Sequence, residues 1–220
     1  MAGKFRIERD TLGTVKVPAL ALYGAQTQRA VENFPISGLC ADPEFIKTYV
    51  QIKRASALIH KKLGLLPARL ADAIIASADE VIAGRHLDAW VVDVYQAGAG
   101  TSFNMNTNEV LANLANLKLG GKLGEYKPVH PNDHVNKSQS TNDTFPTAIR
   151  ITALVFLRDK LYPALSSFAE ALEKKGKEYA KVPTSGRTHL MDATPILIGQ
   201  VFFGYADAVR SIIRHIKSAS

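Results

Sequence analysis

Three polar clusters hold the residue types that could do chemistry. Gly98-Ala99-Gly100-Thr101-Ser102-Phe103-Asn104-Met105-Asn106 is the first. The second is His130-Pro131-Asn132-Asp133-His134, running on through Ser138-Gln139-Ser140-Thr141-Asn142-Asp143. The third is Gly186-Arg187-Thr188-His189-Leu190-Met191-Asp192. Each lies just before a long stretch with apolar residues at helical spacing. A helix N-terminus presents unpaired N–H groups and a partial positive charge. Hydroxyl and amide side chains there add neutral donors, and the combination suits a carboxylate or a phosphate. Three such clusters could grip a small dianion at both ends without strong cationic pairing. The same residue types are also the ordinary caps of helices, and that reading stands beside the other at every cluster.

Other chemistries fit less well. Gly98 and Gly100 could open a phosphate loop, but no third Gly follows at dinucleotide spacing and no parallel-strand pattern precedes them. His130, Asp133 and His134 have the look of metal ligands. The Pro-containing loop, the lack of a His-Glu-x-x-His helix and the absence of further His or Cys nearby speak against a metal. No cofactor is expected. His189 neighbours Arg187 and Thr188 in a polar loop, and His is the side chain whose proton moves most easily near neutral pH. His60, His86 and His215 sit on helical faces as surface or packing residues, and Trp90 falls at a core spacing.

The elements that must position these clusters are mostly helices. Residues 5 to 17 alternate around Thr11-Leu12-Gly13-Thr14 and read as a small hairpin. Tyr23 to Gly38 reads as a loop with at most one helical turn. Asp42-Pro43-Glu44 is a helix start, followed by Phe45, Tyr49, Ile52, Ala55, Ile59 and Leu63 as an apolar face that Gly64 stops. Pro67 opens a second helix with Leu70, Ile74, Ala78, Val81 and Ile82, ended by Gly84. Leu87 to Tyr95 predicts a third, and Asn106 to Leu119 a fourth, with Val110, Leu111, Leu114 and Leu117 inward. Residues 121 to 143 read as an ordered loop. From Thr144 a helical pattern runs to about Lys181, kinked or divided at Pro163. Pro183 to Asp192 reads as a polar loop, and Pro195 as the start of a last helix to Ser220. Strand signals are nearly absent after residue 17, so the class is all-α. The expected division is an N-terminal, mostly helical domain over 1–141 and the first long helices of a bundle over 142–220. Those long helices carry more apolar surface than this chain can cover alone, which points to bundling with other chains or with missing sequence.

Composition narrows the class. The 220 residues are 46% hydrophobic and 21% charged, which is globular and far from disordered. The 27 Lys and Arg exceed the 20 Asp and Glu by 7. The basic residues are scattered, so no nucleic-acid partner is expected. Cys40 is the only cysteine, which excludes an intramolecular disulfide and a cysteine zinc site and fits a reducing compartment. Met1-Ala2-Gly3-Lys4-Phe5-Arg6 lacks the apolar stretch of an export signal, and no apolar run is long enough to span a bilayer. A cytoplasmic protein without membrane partners is the expectation.

In these clusters the sequence resembles the aspartase/fumarase (class II fumarase) superfamily, in its N-terminal half. The stretches that carry the resemblance are Leu22 to Thr27, Glu32-Asn33-Phe34, Gly98 to Asn113, His130 to Thr147 and Gly186 to Pro195, in order along nearly the whole chain. The resemblance implies a homotetramer built round a bundle of long helices. It implies elimination of ammonia, water or another group from a succinyl-type compound to give fumarate, through an aci-carboxylate that fixed donors must stabilise. Carried to matching positions, Thr101, Ser140 and Thr141 would hold that carboxylate, with Ser102 beside them. Asn142 and His189 would contact the leaving group, and Thr188 the other carboxylate. His130, Asn132 and Asp133 match a second carboxylate site. Each active site would draw loops from three subunits.

The resemblance divides over the leaving group. Gly98 to Ser102, Ser140-Thr141-Asn142 and Ala30 to Ile36 look like aspartases. Val129 to Asp133, Asp143 to Thr147 and Thr188-His189-Leu190 with Asp192 to Pro195 look like fumarases. Residues at the carboxylate and leaving-group pocket count most, which favours aspartate ammonia-lyase, with fumarate hydratase or a non-catalytic lyase-derived module as alternatives. Met191 stands where the superfamily usually has Gln. Members of the superfamily are roughly twice as long, and the loop with their catalytic Ser base has no match in these 220 residues. The chain alone is therefore expected to be inactive.

Overall fold

The structure, a computed structural model, describes residues 4–220; Met1-Ala2-Gly3, part of the export-signal reading, lie outside the described residues. The chain divides into two compact units, residues 1–152 and 153–220. No described helix is long and apolar enough to cross a membrane.

In the first unit, β1 (Phe5–Asp10) and β2 (Gly13–Pro18) form the expected antiparallel hairpin, with Asp10 opposite Gly13. The Asp10 carboxylate accepts the Leu12 N–H at 2.9 Å, which closes the turn locally. Val15 and Val17 turn inward against Ala25. Four helices follow: α1 (Ala25–Asn33), α2 (Pro43–Lys62), α3 (Ala68–Ile82) and α4 (Thr101–Lys118), and α5 begins at Thr141 and runs to Phe156. The α2 start is as the sequence implies: Asp42 accepts the Glu44 N–H at 2.7 Å and Pro43 fills the first position.

The face α2 buries differs from the expected one. Ile46, Tyr49, Val50, Lys53, Ala57 and His60 point inward, whereas Ile59 and Leu63 are exposed. The inward set packs on Ala71, Ile74, Ala78 and Val81 of α3 and on Val110, Leu111 and Leu114 of α4, while Leu117 is exposed. Helix α4 is buried nearly all round and so is not amphipathic. Its asparagines hold loops. Asn106 donates to the Ala89 carbonyl at 2.9 Å and accepts the Val91 N–H at 3.0 Å. Asn113 does the same for Leu22 and Gly124, at 2.8 and 2.9 Å. Asn116 brackets Val129, donating at 2.9 Å and accepting at 2.7 Å. Each such side chain replaces a strand partner for a loop that has none, and leaving the buried backbone groups unpaired costs about 1–3 kcal/mol apiece.

Several local expectations fail here for tertiary reasons. Helix α1 forms where a loop is expected. The predicted Leu87–Tyr95 helix is one short turn, Leu87–Ala89, followed by chain pinned to Asn106. Helix α4 begins at Thr101 and α5 at Thr141, both earlier than their apolar patterns. Pro131–Val135 forms a single widened helical turn within the expected loop.

The second unit is a helix pair joined by a hairpin. The helix widens over Leu157–Leu161, and α6 (Tyr162–Glu178) carries Pro163 directly after that widened turn. β3 (Pro183–Thr188) and β4 (Met191–Leu197) pair antiparallel, so the expected 183–192 loop is a hairpin. Pro195 lies in β4, and α7 runs over Ile198–Ala219. Small residues set the approach of α6 to α7: a Cβ on Gly199 would meet the Gly176 carbonyl at 2.5 Å. Arg210 and Glu173 pair across the two helices at 2.7 Å. Phe168, Tyr205 and Ile212 remain exposed. Helices still make up most of the molecule, so the all-α class stands with two small hairpins added.

Candidate active site

The start of α4 is fixed from both sides. Gly100 precedes it with φ +82°, a left-handed conformation that favours glycine, and a Cβ there would lie 2.2 Å from the Phe145 ring. The Phe103 N–H, free of an intrahelical partner at this first turn, donates to Gln96 Oε1 at 2.6 Å. Thr101 is exposed at the first position. Ser102 is buried and lines a cavity of about 300 Å³ with Thr11, Gln26 and Arg29.

The start of α5 is built beside it. Ser140 Oγ accepts the Asn142 N–H at 3.3 Å, so part of its role is to cap. The Ser140 carbonyl takes the Thr144 N–H at 3.0 Å and the Thr144 hydroxyl at 3.2 Å. Thr141 is half-buried and Asn142 exposed. Pro146 sits inside the helix and has no N–H, so the Asn142 carbonyl four residues earlier receives no helical hydrogen bond. Phe145 packs on Gly100, and its ring joins Phe45, Tyr49 and Phe103 in an aromatic cluster with centroids 5.1–6.3 Å apart. Tyr49 spans the two starts: its hydroxyl donates to Asn104 Oδ1 at 2.9 Å and lies 2.9 Å from Thr144 Oγ1. Thr101 and the Ser140–Asn142 segment are thus held within one unit by a shared apolar and polar backing.

Beneath them lies Lys53, fully buried on α2. Its Nζ donates to Asn104 Oδ1 at 2.7 Å and to Asn136 Oδ1 at 2.9 Å. Burial pushes its ammonium down to about 7. The apolar-spacing reading passes over Lys53. The signal that finds it is its place in the stripe Ile46, Tyr49/Val50, Lys53, Ala57, His60, where a lysine interrupts an inward face.

His130 and Asn132 come together in a cleft of about 190 Å³, with Arg9 and Thr11 from the β1–β2 turn, Gln26 from α1 and Tyr126. His130 Nδ1 is 3.3 Å from the Asp133 N–H and 3.2 Å from its carboxylate. Asp133 is exposed and not part of the cleft lining. His134 Nδ1 accepts the His130 N–H at 2.8 Å, which places the ring proton of the neutral form on Nε2, and burial lowers its pKa.

Glu109, a buried carboxylate that sequence reading also passes over, lines the same cleft. Glu109 accepts the N–H groups of Gly24, Gln26 and Thr27 at 2.9–3.0 Å and the Thr27 hydroxyl at 2.6 Å. It therefore caps α1, whose own N-cap, Gly24, has no side chain. Burial pushes the Glu109 carboxyl up, and the four donors pull it back. Tyr126 donates to Glu8 at 2.7 Å, and its phenol is pushed far up by burial and by the two carboxylates. Nothing local in the sequence signals a cap 82 to 85 residues from its helix.

Thr188 and His189 lie in the second unit. Thr188 pairs with Met191, leaving His189 and Leu190 as the two turn residues, at φ +50° and +62°. That mirror-image turn favours Asn-Gly. His189 and Met191 are exposed, and Leu190 is 95% exposed.

The profile of the lyase family matches residues 13–220. The chain belongs to the fumarase/aspartase superfamily of lyases. Among its superfamily relatives, the class II fumarate hydratase of Ralstonia nicotianae is 50% identical over 214 residues, which is 97% of this chain and 46% of that protein. The class II fumarate hydratase of Halobacterium salinarum is 48% identical over 100% of this chain and 47% of its own length. A crystal structure of a fumarate lyase:delta crystallin from Brucella melitensis bound to cobalt superposes with a TM-score of 0.93 at 43% identity, over 97% of this chain and 47% of that one. The class II fumarase of Schistosoma mansoni gives 0.91 at 36% identity, over 97% and 45%. The chain thus spans about half the length of the relatives it matches. These curated relatives are named fumarate hydratases, so the similarity does not support the expected aspartate ammonia-lyase and fits its alternative, fumarate hydratase, better.

Proposed function

We propose that the whole protein hydrates fumarate to malate and dehydrates malate to fumarate. The observation that carries this is 48–50% identity to class II fumarate hydratases along nearly every residue. The shared backing of the α4 and α5 starts supports it. Two helix N-termini with hydroxyl and amide side chains offer fixed donors to an anion. Removing a proton from the carbon beside a carboxylate gives an aci-carboxylate, and donors aimed where that charge develops lower the barrier most. In this reading Thr101, Ser140 and Thr141 hold the reacting carboxylate, with Ser102 behind them. Asn142 and His189 orient the leaving water, and Thr188 binds the other carboxylate. His130, Asn132 and Asp133 serve a second carboxylate site. A homotetramer completes each active site with loops from three copies.

Specific motifs favour a second reading, aspartate ammonia-lyase: Gly98 to Ser102 and Ser140-Thr141-Asn142 resemble aspartases. One experiment separates them. The whole protein is incubated with fumarate alone and with fumarate plus ammonium. Malate from fumarate alone is the expected result. Aspartate formed only with ammonium would replace this reading by the second, and neither product would sink both. Thr101→Ala or Ser140→Ala should each lower kcat by about 10²–10³ with folding retained.

A further inference from the structure

Lys53 is the one fully buried lysine among the described residues of the first unit, and the chemistry above does not use it. Its position is unusual in three ways. Among the described residues it has no carboxylate partner: Nζ is held by the amide oxygens of Asn104 and Asn136, with the Tyr49 ring 5.4 Å away. Those two amides belong to different segments, the first turn of α4 and the loop that leads into α5. Asn136 in turn donates to the Gln139 carbonyl at 3.2 Å, one residue before Ser140. A buried charge without a counter-charge is costly, so the fold retains at Lys53 a group that an apolar residue of similar length could replace.

We propose that Lys53 is a positioning residue: gripping Asn104 and Asn136 together, it fixes the start of α5, with Ser140, Thr141 and Asn142, against the start of α4, with Thr101. This rests on the lyase reading of those residues. A charged donor makes hydrogen bonds roughly twice as strong as a neutral one, so the grip is firmest while Lys53 is protonated. The surrounding charges leave it free to titrate. On α2, the Tyr49 phenol is pushed up to about 12 and stays un-ionised, His60 is pushed down by burial, and Arg54 pairs with Asp79. On α3, Asp72 pairs with Lys61 and Glu80 with Lys118. On α4, Asn104 is neutral and Glu109 is taken up by the α1 cap. The loop into α5 contributes His134 and Lys137, and α5 contributes Asp143.

The test uses two variants of the whole protein. Lys53→Met keeps a long unbranched side chain and removes the grip, and kcat/KM should fall about 10²-fold, as when substrate-holding groups are misplaced by an ångström. Asn136→Asp keeps an acceptor for Nζ and makes it a carboxylate, at the loss of the donor to the Gln139 carbonyl. It should retain kcat/KM within about tenfold and move to higher pH the decline that the parent shows as Lys53 loses its proton. A Lys53→Met enzyme within about threefold of the parent would overturn the proposal, as would an Asn136→Asp profile that does not move. If Lys53→Met fails to fold, the Asn136→Asp profile decides. If the parent turns over neither substrate, the lyase reading fails by itself. Amide hydrogen exchange over 136–144 then decides: faster exchange in whichever Lys53 variant folds, Met or Gln, supports the grip, and unchanged exchange removes it.

Discussion

The two units hold their candidate site residues in opposite ways. In the first, Thr101 and Ser140 stand on helix starts backed by Phe145 on Gly100, by Tyr49 and by Lys53, above a core that α2, α3 and α4 close among themselves. In the second, Ala169, Gly176, Gly199 and Ala206 are buried, while Phe168, Tyr205 and Ile212 are exposed and His189 sits at an open hairpin tip. The difference teaches what each unit can do alone. The first carries its own preorganisation. The second presents a catalytic candidate and an apolar face that other chains, in the proposed tetramer, would have to complete.

That contrast can be broken at its strongest point first. Glu109→Ala removes the acceptor of three buried N–H groups and a hydroxyl, and should destabilise the first unit by about 3 kcal/mol, read by urea unfolding. A cost below about 1 kcal/mol would mean that buried polar anchors do not hold this unit. Next comes a pH effect. Lys53 is lowered to about 7 in the folded chain, against about 10.4 when unfolded. Above pH 7 the unfolded state binds the extra proton, so stability should rise from pH 7 toward 10. Thermal unfolding across that range should lose this rise in Lys53→Met. In the second unit, Leu190→Gly relieves a left-handed φ of +62° and should add about 1 kcal/mol to the hairpin. No gain in thermal stability would show that the turn is not strained. The smallest effect is expected for Tyr205→Ser, within about 0.5 kcal/mol for the helix pair itself. Sedimentation should nevertheless show weaker self-association of the whole protein.

What could be read in the sequence was what is local. The β1–β2 alternation and the Asp42-Pro43-Glu44 start needed no partner, and both formed. Helix α1 did not announce itself, because its cap is Glu109 on α4 and its body is largely polar. The β3–β4 hairpin was hidden by Pro183 and Pro195 in its strands and by His189-Leu190 where Asn-Gly would signal a turn. Leu87 to Tyr95 carried a helical pattern that two bonds to Asn106 override. The polar clusters were visible as residue types, and two of the three do precede helices directly. Their backing was not visible: Tyr49, Lys53 and Asn136 act across 51 to 95 residues, and no window of sequence contains such a contact.

The Glu109 cap also sets an order of events. Residues 25 to 33 gain their missing acceptor from a side chain 82 to 85 positions later. A chain emerging from the ribosome therefore holds that segment without its cap until α4 has been made. The hairpin ahead of it can close early, in microseconds, but α1 waits for closure of a long loop. Its docking marks the moment when the N-terminal end of the chain stops being provisional.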